Sequence, residues 1–381
     1  MVHNTYQHRG GEDAAVEAEV ELLRSKGHEV HVYERDNFEI EEMGKSALLA
    51  QTLWSKRTHR DFINLKDSFR PDIIHAHNTF PLVSPSLYWA ASQVRVPIVQ
   101  TLHNFRLHCA QAMYLRDGKV CEDCLGKLPW RGVVRKCYRN SMSQSAVLVG
   151  MLALHRTLGT YREKVTRYVA LNEFCKKKFV QGGLPPEKIV IKPNFVDLPR
   201  PAANFRRGGL FVGRLSPEKG VDTLLGAIEL LPNLTLDVSG TGPEQTKLMA
   251  HRRIQALGWQ EQSAVYQRMC QASYLVMPSL WYENFPRTLV EAFACALPVI
   301  ASRLGAMAEL IEDGKTGLLC EPGSASALAE KLAWAESNPE EMRRMGENAR
   351  TEYEAKYTSE KNYHQLMAIY SEAIAAAQSV K

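Results

Sequence analysis

Two carboxylates spaced as Glu-x7-Glu, in Glu283-Asn-Phe-Pro-Arg-Thr-Leu-Val-Glu291, are the residues of this chain best placed to do chemistry. They flank a predicted helix start. Pro286 suits the first helical position, where its missing N–H costs nothing, and Arg287 to Leu297 reads as a short helix. Glu283 then lies in the preceding loop and Glu291 about one turn inside the helix. Unsatisfied amides near Phe285 to Thr288 form an anion site. Carboxylates can accept from sugar hydroxyls while amides hold a phosphate, which fits a nucleotide-sugar. In isolation the pair would be a loop acid and a solvated helix acid. Its context adds weight. A short apolar strand, Tyr274 to Met277, precedes it, and another, Leu297 to Ser302, follows before the turn Arg303-Leu-Gly-Ala306. Strand, acidic loop, helix, strand is the order of a parallel sheet, and such sheets bind ligands at the carboxyl ends of their strands.

Other candidates follow strands in the same way. Arg214 and Lys219 come after the strand ending at Val212-Gly213. A unit charge ~4 Å from its counter-charge is worth ~4 kcal/mol at an effective dielectric of 20, so two cations can do much of a divalent metal's work on an anionic group. The chain contains no Asp-x-Asp. Gly10-Gly11 follows the first strand, where glycine permits close backbone approach to a phosphate or sugar, and a helix is predicted to begin near Asp13. Gly240-Thr-Gly242 reads as a turn bordering a nucleotide; Gln245 at its sixth position breaks the dinucleotide fingerprint. His103 ends the strand Ile98 to Leu102. His75 and His77 share one strand face, and with no third metal ligand apparent they read as site wall or packing.

Taken in order, several motifs resemble the family 4 retaining glycosyltransferases. They are His8-Arg-Gly-Gly-Glu12, Asp72-Ile-Ile-His-Ala-His77, Thr101-Leu-His-Asn104, Lys192-Pro-Asn-Phe-Val-Asp197, Phe211-Val-Gly-Arg-Leu-Ser-Pro-Glu-Lys-Gly220, Gly240-Thr-Gly-Pro243 and the Glu283 to Glu291 segment. The resemblance covers nearly the whole chain. It implies an α/β GT-B fold: two Rossmann-like βαβ domains facing a cleft, with a C-terminal helix crossing back to the N-terminal domain. It implies transfer of a sugar from a nucleotide-diphosphate donor to an acceptor hydroxyl, in cell-surface polysaccharide or glycolipid synthesis. Glu283 and His103 would then act near the transferred sugar and Arg214 and Lys219 on the diphosphate. Gly10, Gly11, Gly242, Asn284, Phe285 and Pro286 would surround the donor, with Glu291 on its ribose. Where the family often shows Gly-Gly, this chain has Gly305-Ala306. A nucleotide-sugar 2-epimerase-like isomerase and a non-catalytic sugar-nucleotide binder are the alternatives on the same architecture.

The elements needed to position these residues are legible as two βα series. The first contains strand-like runs at Met1 to Asn4, Glu29 to Tyr33, Ile73 to Ala76, Ile98 to Leu102, Arg167 to Leu171 and Ile189 to Lys192, with a helix over Ala14 to Lys26 that stops at Gly27. The second runs from Gly209 through Leu234 to Val238, Tyr274 to Met277, Val299 to Ala301 and Gly317 to Leu319. The opening strand is short for a buried first strand, so that either a few residues precede Met1 in the natural chain or the strand is simply short. The Pro-, Asn- and Arg-rich stretch Pro193 to Arg207 marks the boundary, giving domains 1–197 and 198–357. Helices follow over Pro339 to Tyr357 and Ser359 to Gln378, and residues 358–381 are expected to pack on the first domain.

A chain of 381 residues can support two cores. With 45% hydrophobic and 23% charged residues it is an ordinary globular composition, and a net charge of +5 does not suggest a nucleic-acid binder. No secretory signal is visible, and the longest apolar run, Ala146 to Leu154, is far short of the ~20 residues that span a bilayer. A cytoplasmic or membrane-peripheral protein follows. Cys109-x11-Cys121-x2-Cys124-x12-Cys137 lies in an insertion over 105–140. It matches a structural four-thiolate zinc site, with four unliganded thiols as the alternative. No catalytic metal is expected. Between Lys127 and Arg139 lie five cations, no acids, and Trp130 and Tyr138. A solvated loop explains this simply; an anionic membrane surface or a phosphate-bearing acceptor would also suit it.

Overall fold

The computed structural model describes residues 1–7, 10–199 and 206–378; His8, Arg9 and part of the expected boundary lie outside them. The chain divides into two compact units. The first comprises Met1–Met113, Glu122–Pro193 and Asn362–Lys381, the second Tyr114–Cys121 and Asn194–Lys361.

In chain order the strands are β1 (Val2–Thr5), β2 (Tyr33–Asp36), β3 (Ile74–Ala76), β4 (Ile98–Thr101), β5 (Leu115–Arg116), β6 (Lys119–Val120), β7 (Arg167–Ala170) and β8 (Ile189–Ile191), then β9 (Gly209–Val212), β10 (Leu236–Ser239), β11 (Ile254–Gly258), β12 (Tyr274–Met277), β13 (Val299–Ser302) and β14 (Gly317–Cys320). The first unit holds the sheet β2-β1-β3-β4-β7-β8 and the second β11-β10-β9-β12-β13-β14; both are wholly parallel. The short antiparallel hairpin β5-β6 stands apart. Central strands such as β4, β12 and β13 are buried along their whole length, as is the edge strand β14. That is why they read as continuous apolar runs: helices cover both faces of a parallel sheet.

Edge strands are where the structure departs from expectation. The run Glu29 to Tyr33 was expected as a strand, but β2 begins at Tyr33 and pairs Val2 with Tyr33 and Thr5 with Asp36. Its sequence Tyr-Glu-Arg-Asp is polar because an edge needs little apolar surface. Its buried Arg35 is held bidentately by Glu39, at 2.8 and 2.7 Å. The other unforeseen edge, β11, is likewise largely half-buried or exposed.

The helix Gly11–Ser25 buries Ala15, Val16, Val20, Leu22 and Leu23 and ends before Gly27, whose φ of +86° suits a residue without Cβ. The helix Ser359–Gln378 contributes Leu366, Ile369, Tyr370 and Ala373 to the core that contains Leu23, Val99 and Val169.

In the second unit the strand order reverses between β9 and β12, so the loops after these two strands diverge and leave room for a ligand. The helix Arg287–Ala294 starts there. Leu289, Val290 and Phe293 are fully buried against Met277, Val299 and Met307, worth about 1.5–3 kcal/mol each. Pro286 is not the first helical residue as expected. It is the extended cap (φ −70°, ψ 101°), and the helix is also shorter than the predicted run to Leu297.

One close approach sets the spacing of these loops. Gly220 has φ +77°, and a Cβ there would sit 1.9 Å from the Pro278 carbonyl oxygen. Gly220→Ala should therefore cost the ~1–2 kcal/mol of a left-handed residue plus ~1–3 kcal/mol for forced backbone movement. Gly27→Ala, at similar φ but in open space, should cost the first part alone. Urea denaturation giving equal losses for the two variants would disprove this account.

Candidate functional site

The loops after β9 and β12 gather most of the residues singled out in the sequence. Lys219 closes the turn Pro217–Lys219, and its Nζ donates to Glu283 Oε1 at 2.6 Å. The same oxygen accepts from Ser279 Oγ at 2.9 Å and Trp281 Nε1 at 3.0 Å. Glu283 is 5% exposed, and hydrogen bonds to a charged group contribute about 1.5–3 kcal/mol each. Lys219 Nζ also lies 5.6 Å from the centre of the Trp281 ring. Arg214 is exposed on the same loop as Lys219. Eight residues on from Glu283, Glu291 Oε1 accepts from Arg287 Nε at 2.9 Å. Arg287 Nη1 is buried without a hydrogen-bond partner among the described residues. Asn284 and Phe285 are half-buried and Pro286 buried between the two acids; Phe285 meets Tyr357 edge-on at 5.9 Å.

The glycine turn fixes the cationic loop from the other side. A Cβ on Gly240 would be 1.9 Å from the Gly213 carbonyl oxygen, and one on Gly242 would be 2.3 Å from that of Leu215. Leu215 N–H donates to Thr241 O at 2.9 Å, and Glu244 N–H to Leu215 O at 2.9 Å. Arg214 is therefore presented by backbone locked on both sides. Ser279, Trp281 and Arg287 were missed in the sequence. The i,i+4 spacing of Arg287 and Glu291 was a readable signal; nothing local marked Ser279 or Trp281 as donors.

In the first unit Gly10 caps the helix that Gly11 starts, two residues before the expected Asp13. Gly10 N–H already donates to Asp13 Oδ2 at 2.7 Å, so Gly11 and its successors are the amides left to meet an anion. Added Cβ atoms would meet only Asp13 at 3.8 Å from Gly10 and nothing within 4 Å from Gly11. Beside them Glu12 Oε2 accepts from Tyr6 Oη at 2.9 Å and Asn104 Nδ2 at 3.4 Å, and burial raises its carboxyl pKa. Arg106 stacks over Phe80 and Tyr138, 4.6 and 5.5 Å from the ring centres.

His103 leads into a buried network. Its Nε2 lies 2.8 Å from His77 Nδ1. His77 Nε2 faces Glu19 Oε1 at 3.6 Å, and His75 Nδ1 lies 3.0 Å from the same oxygen. Lys192 Nζ donates to Glu19 Oε2 at 2.8 Å and to Asn362 Oδ1 at 3.2 Å. Burial lowers His77 to about 3 and, with the neighbouring His77, holds His103 well below the usual imidazole range. Burial alone would raise Glu19, but Lys192 and His75 outweigh it and hold its carboxyl well below the usual range. The sequence reading found no third ligand beside His75 and His77. Glu19 is that third group, with ligand atoms of the three within 4.8 Å of one another, yet the Lys192 ammonium already supplies the counter-charge a cation would bring.

Cys109, Cys121, Cys124 and Cys137 are half-buried and in no disulfide. Among the described residues no helix is long and apolar enough to cross a membrane.

The profile described as Glycosyltransferase Family 4 matches residues 9–200, and that described as Glycosyl transferases group 1 matches residues 208–352. An uncharacterised glycosyltransferase of Methanocaldococcus jannaschii is 35% identical over 43% of this chain and 48% of its own length. Glycogen synthase of Mycobacterium tuberculosis is 28% identical over 74% of this chain and 64% of its own. The chain thus spans about half to two thirds of the length of these relatives. Among solved structures, HepE of Anabaena in complex with UDP aligns with TM-score 0.68 and 18% identity over 97% and 98% of the two chains. Sucrose-phosphate synthase of Thermosynechococcus elongatus aligns with TM-score 0.72 and 19% identity over 97% and 95%. These likenesses establish the two-domain GT-B architecture.

The Glu19–Lys192 pair gives a stability prediction. Lys192→Met should cost ~3–5 kcal/mol by leaving a buried carboxylate unpaired, whereas Glu19→Gln/Lys192→Met should cost clearly less. Because the folded Glu19 pKa is depressed, its stabilisation is present above the ordinary value of 4.5 and is lost as pH falls below it. Chemical denaturation from pH 7 to 3 should show a shallower acid loss for the double variant than for the natural chain. Parallel profiles would refute the linkage.

Proposed function

Since the chain belongs to glycosyltransferase family 4, we propose that it transfers a sugar from a nucleotide-diphosphate donor to an acceptor hydroxyl with retention of configuration. The observation that carries this reading is the Lys219–Glu283 contact, 2.6 Å long, between the loops that diverge at the strand-order reversal, with the Arg214 loop locked alongside. Solved structures of similar fold hold UDP or UDP-glucose, which supports a nucleoside diphosphate as leaving group. In this reading Arg214 and Lys219 stabilise the diphosphate as negative charge develops on it. Glu283 orients the transferred sugar, Glu291 accepts from the ribose, and His103 meets the transferred group. Gly242, Asn284, Phe285, Pro286 and the Gly10–Gly11 loop border the donor. The anomeric carbon–phosphate oxygen bond breaks, the acceptor oxygen bonds that carbon from the same face, and the acceptor proton passes to the departing phosphate. Cell-surface polysaccharide or glycolipid synthesis is the role that suits such a transfer.

Two cations at the diphosphate, Arg214 and the Glu283-bound Lys219, support metal-independent turnover. The four half-buried thiols have the donor chemistry of a closed structural zinc site, in which Cys109, Cys121, Cys124 and Cys137 would hold the ion without taking part in transfer. Elemental analysis of protein purified without chelators should then find about one zinc per chain. Peripheral contact with an anionic membrane is supported by exposed Leu128, Trp130 and Val134 beside exposed Lys127, Lys136 and Arg139. Equal recovery with neutral and anionic vesicles would exclude it.

Incubation with UDP-, GDP- and ADP-sugars, with and without acceptor, followed by mass spectrometry, tests the reading. Donor conversion without acceptor would mean an epimerase, and binding without conversion a non-catalytic binder. With the productive donor, Lys219→Ala should lower kcat on the order of 10²–10³-fold. Glu291→Ala should raise donor KM about tenfold or more with kcat nearly unchanged, while Glu283→Ala should lower kcat more than it weakens nucleotide binding. The opposite pattern would exchange the two glutamates. Loss of turnover in EDTA that magnesium or manganese restores would overturn metal independence.

A further inference from the structure

His103 ends a line of three side chains whose protonation the geometry constrains. Glu19 is 3% exposed and fixed by Lys192, His75 is 1% exposed, and His77 is 4% exposed. At 3.6 Å the His77 Nε2–Glu19 Oε1 contact is too long for a strong hydrogen bond. Its sign still matters in a buried setting, where an unprotonated nitrogen facing a carboxylate is repelled and an N–H is attracted. Nε2 is therefore the protonated nitrogen of His77, and a neutral ring carries one proton only. His77 Nδ1 is left as an acceptor. His103 Nε2, 2.8 Å away, must be its donor, and the His103 proton is thereby assigned to Nε2.

We infer that Glu19 and His77 are positioning residues that hold His103 as its Nε2–H tautomer, so that His103 Nδ1 is presented as a hydrogen-bond acceptor. The inference rests on the glycosyltransferase reading only for its consequence in catalysis. It makes His103 a neutral acceptor matched to a hydroxyl of the substrate. An unprotonated nitrogen would repel a phosphate oxygen, so the diphosphate is left to Arg214 and Lys219. Two further features favour the arrangement. Lys192 balances Glu19 at 2.8 Å, so Glu19 keeps its negative charge and can orient His77. The His77 and His103 rings lie nearly coplanar, with centroids 5.1 Å apart and an interplanar angle of 23°, as an in-plane N–H···N contact between them requires. The chain of orientation is that of a histidine whose outer nitrogen is set by what its inner nitrogen bonds.

The test uses the full chain with 15N-labelled histidine and long-range 1H–15N correlation, which reports which ring nitrogen carries the proton. The His103 signals are assigned by their disappearance in His103→Gln. The natural chain without ligand should show His103 protonated at Nε2 and bare at Nδ1 at neutral pH. His77→Phe, which removes the acceptor, should give a mixture of tautomers; His77→Asn, which keeps an oxygen near the place of Nδ1, should restore the Nε2–H form. With a productive donor, His77→Phe should lower kcat on the order of 10–100-fold, as for other losses of a histidine's orienting partner, and His77→Asn should recover most of it. A proton on Nδ1 of His103 in the natural chain, or an unchanged tautomer in His77→Phe, would overturn the inference. If His77→Phe fails to fold, the natural spectrum decides alone. The tautomer is read without turnover, so failure of the glycosyltransferase reading would show separately as no conversion of any nucleotide-sugar.

Discussion

The buried carboxylate of Glu19 is the interaction on which the first unit depends. It stands on the helix Gly11–Ser25 and meets His75 and His77 around β3 and Lys192 just beyond β8. Lys192 in turn bonds Asn362, and His75 lies 2.7 Å from the Tyr370 hydroxyl, so the terminal helix is tied in as well. Charges so deeply buried cost several kcal/mol each to dehydrate, and their mutual attraction can offset this only if every partner is in place. A hydrophobic replacement of equal volume would give the unit a core but no orientation for His103. The network is better understood as a device for specifying geometry than as a source of net stability.

The second unit reaches its geometry by contacts between backbones. The reversal of strand order between β9 and β12 opens space at one end of the sheet, and that space by itself has no chemistry. Gly220 lets the Lys219 turn close on Pro278, and Gly240 lets the next turn close on Gly213. Lys219 then falls within reach of Glu283, while Ser279 and Trp281 aim their donors at the same oxygen. Side-chain entropy in lysine would favour a disordered cation. Three partners converging on one atom outweigh that tendency and give a charge of fixed position.

What could be read in the sequence follows the same division between local and long-range causes. Central strands were legible because parallel packing demands unbroken apolar runs, and the Glu283 to Glu291 segment because its proline and acids lie close together in the chain. The polar edges β2 and β11 were hidden, since an edge is defined by its one neighbour and need not be apolar. Glu19 was hidden for a different reason. On a helix rich in glutamate it looks like any solvated acid, and only the arrival of Lys192, 173 residues later, makes it a buried one. His75 and His77 were correctly paired on one face, but the group that gives them a role comes from that distant helix.

The charges around the reversal point bear on how the proposed reaction would proceed. Arg214, Lys219 and Arg287 are matched in number by Glu218, Glu283 and Glu291. Lys219 and Arg287 are each bonded to a carboxylate. A diphosphate entering this region would draw Lys219 toward itself, yet Glu283 would keep Ser279 and Trp281 and so would not be stranded as a bare buried anion. Its second oxygen is the one left to meet a sugar hydroxyl. The diphosphate gains charge when the bond to the sugar breaks, which is the moment at which cations held beside it stabilise it most. Departure of the diphosphate would return Lys219 to Glu283. On this reading Lys219 would exchange a carboxylate partner for the leaving group during transfer, and the same contact with Glu283 that stabilises the loop would hold the cation in place for the next donor.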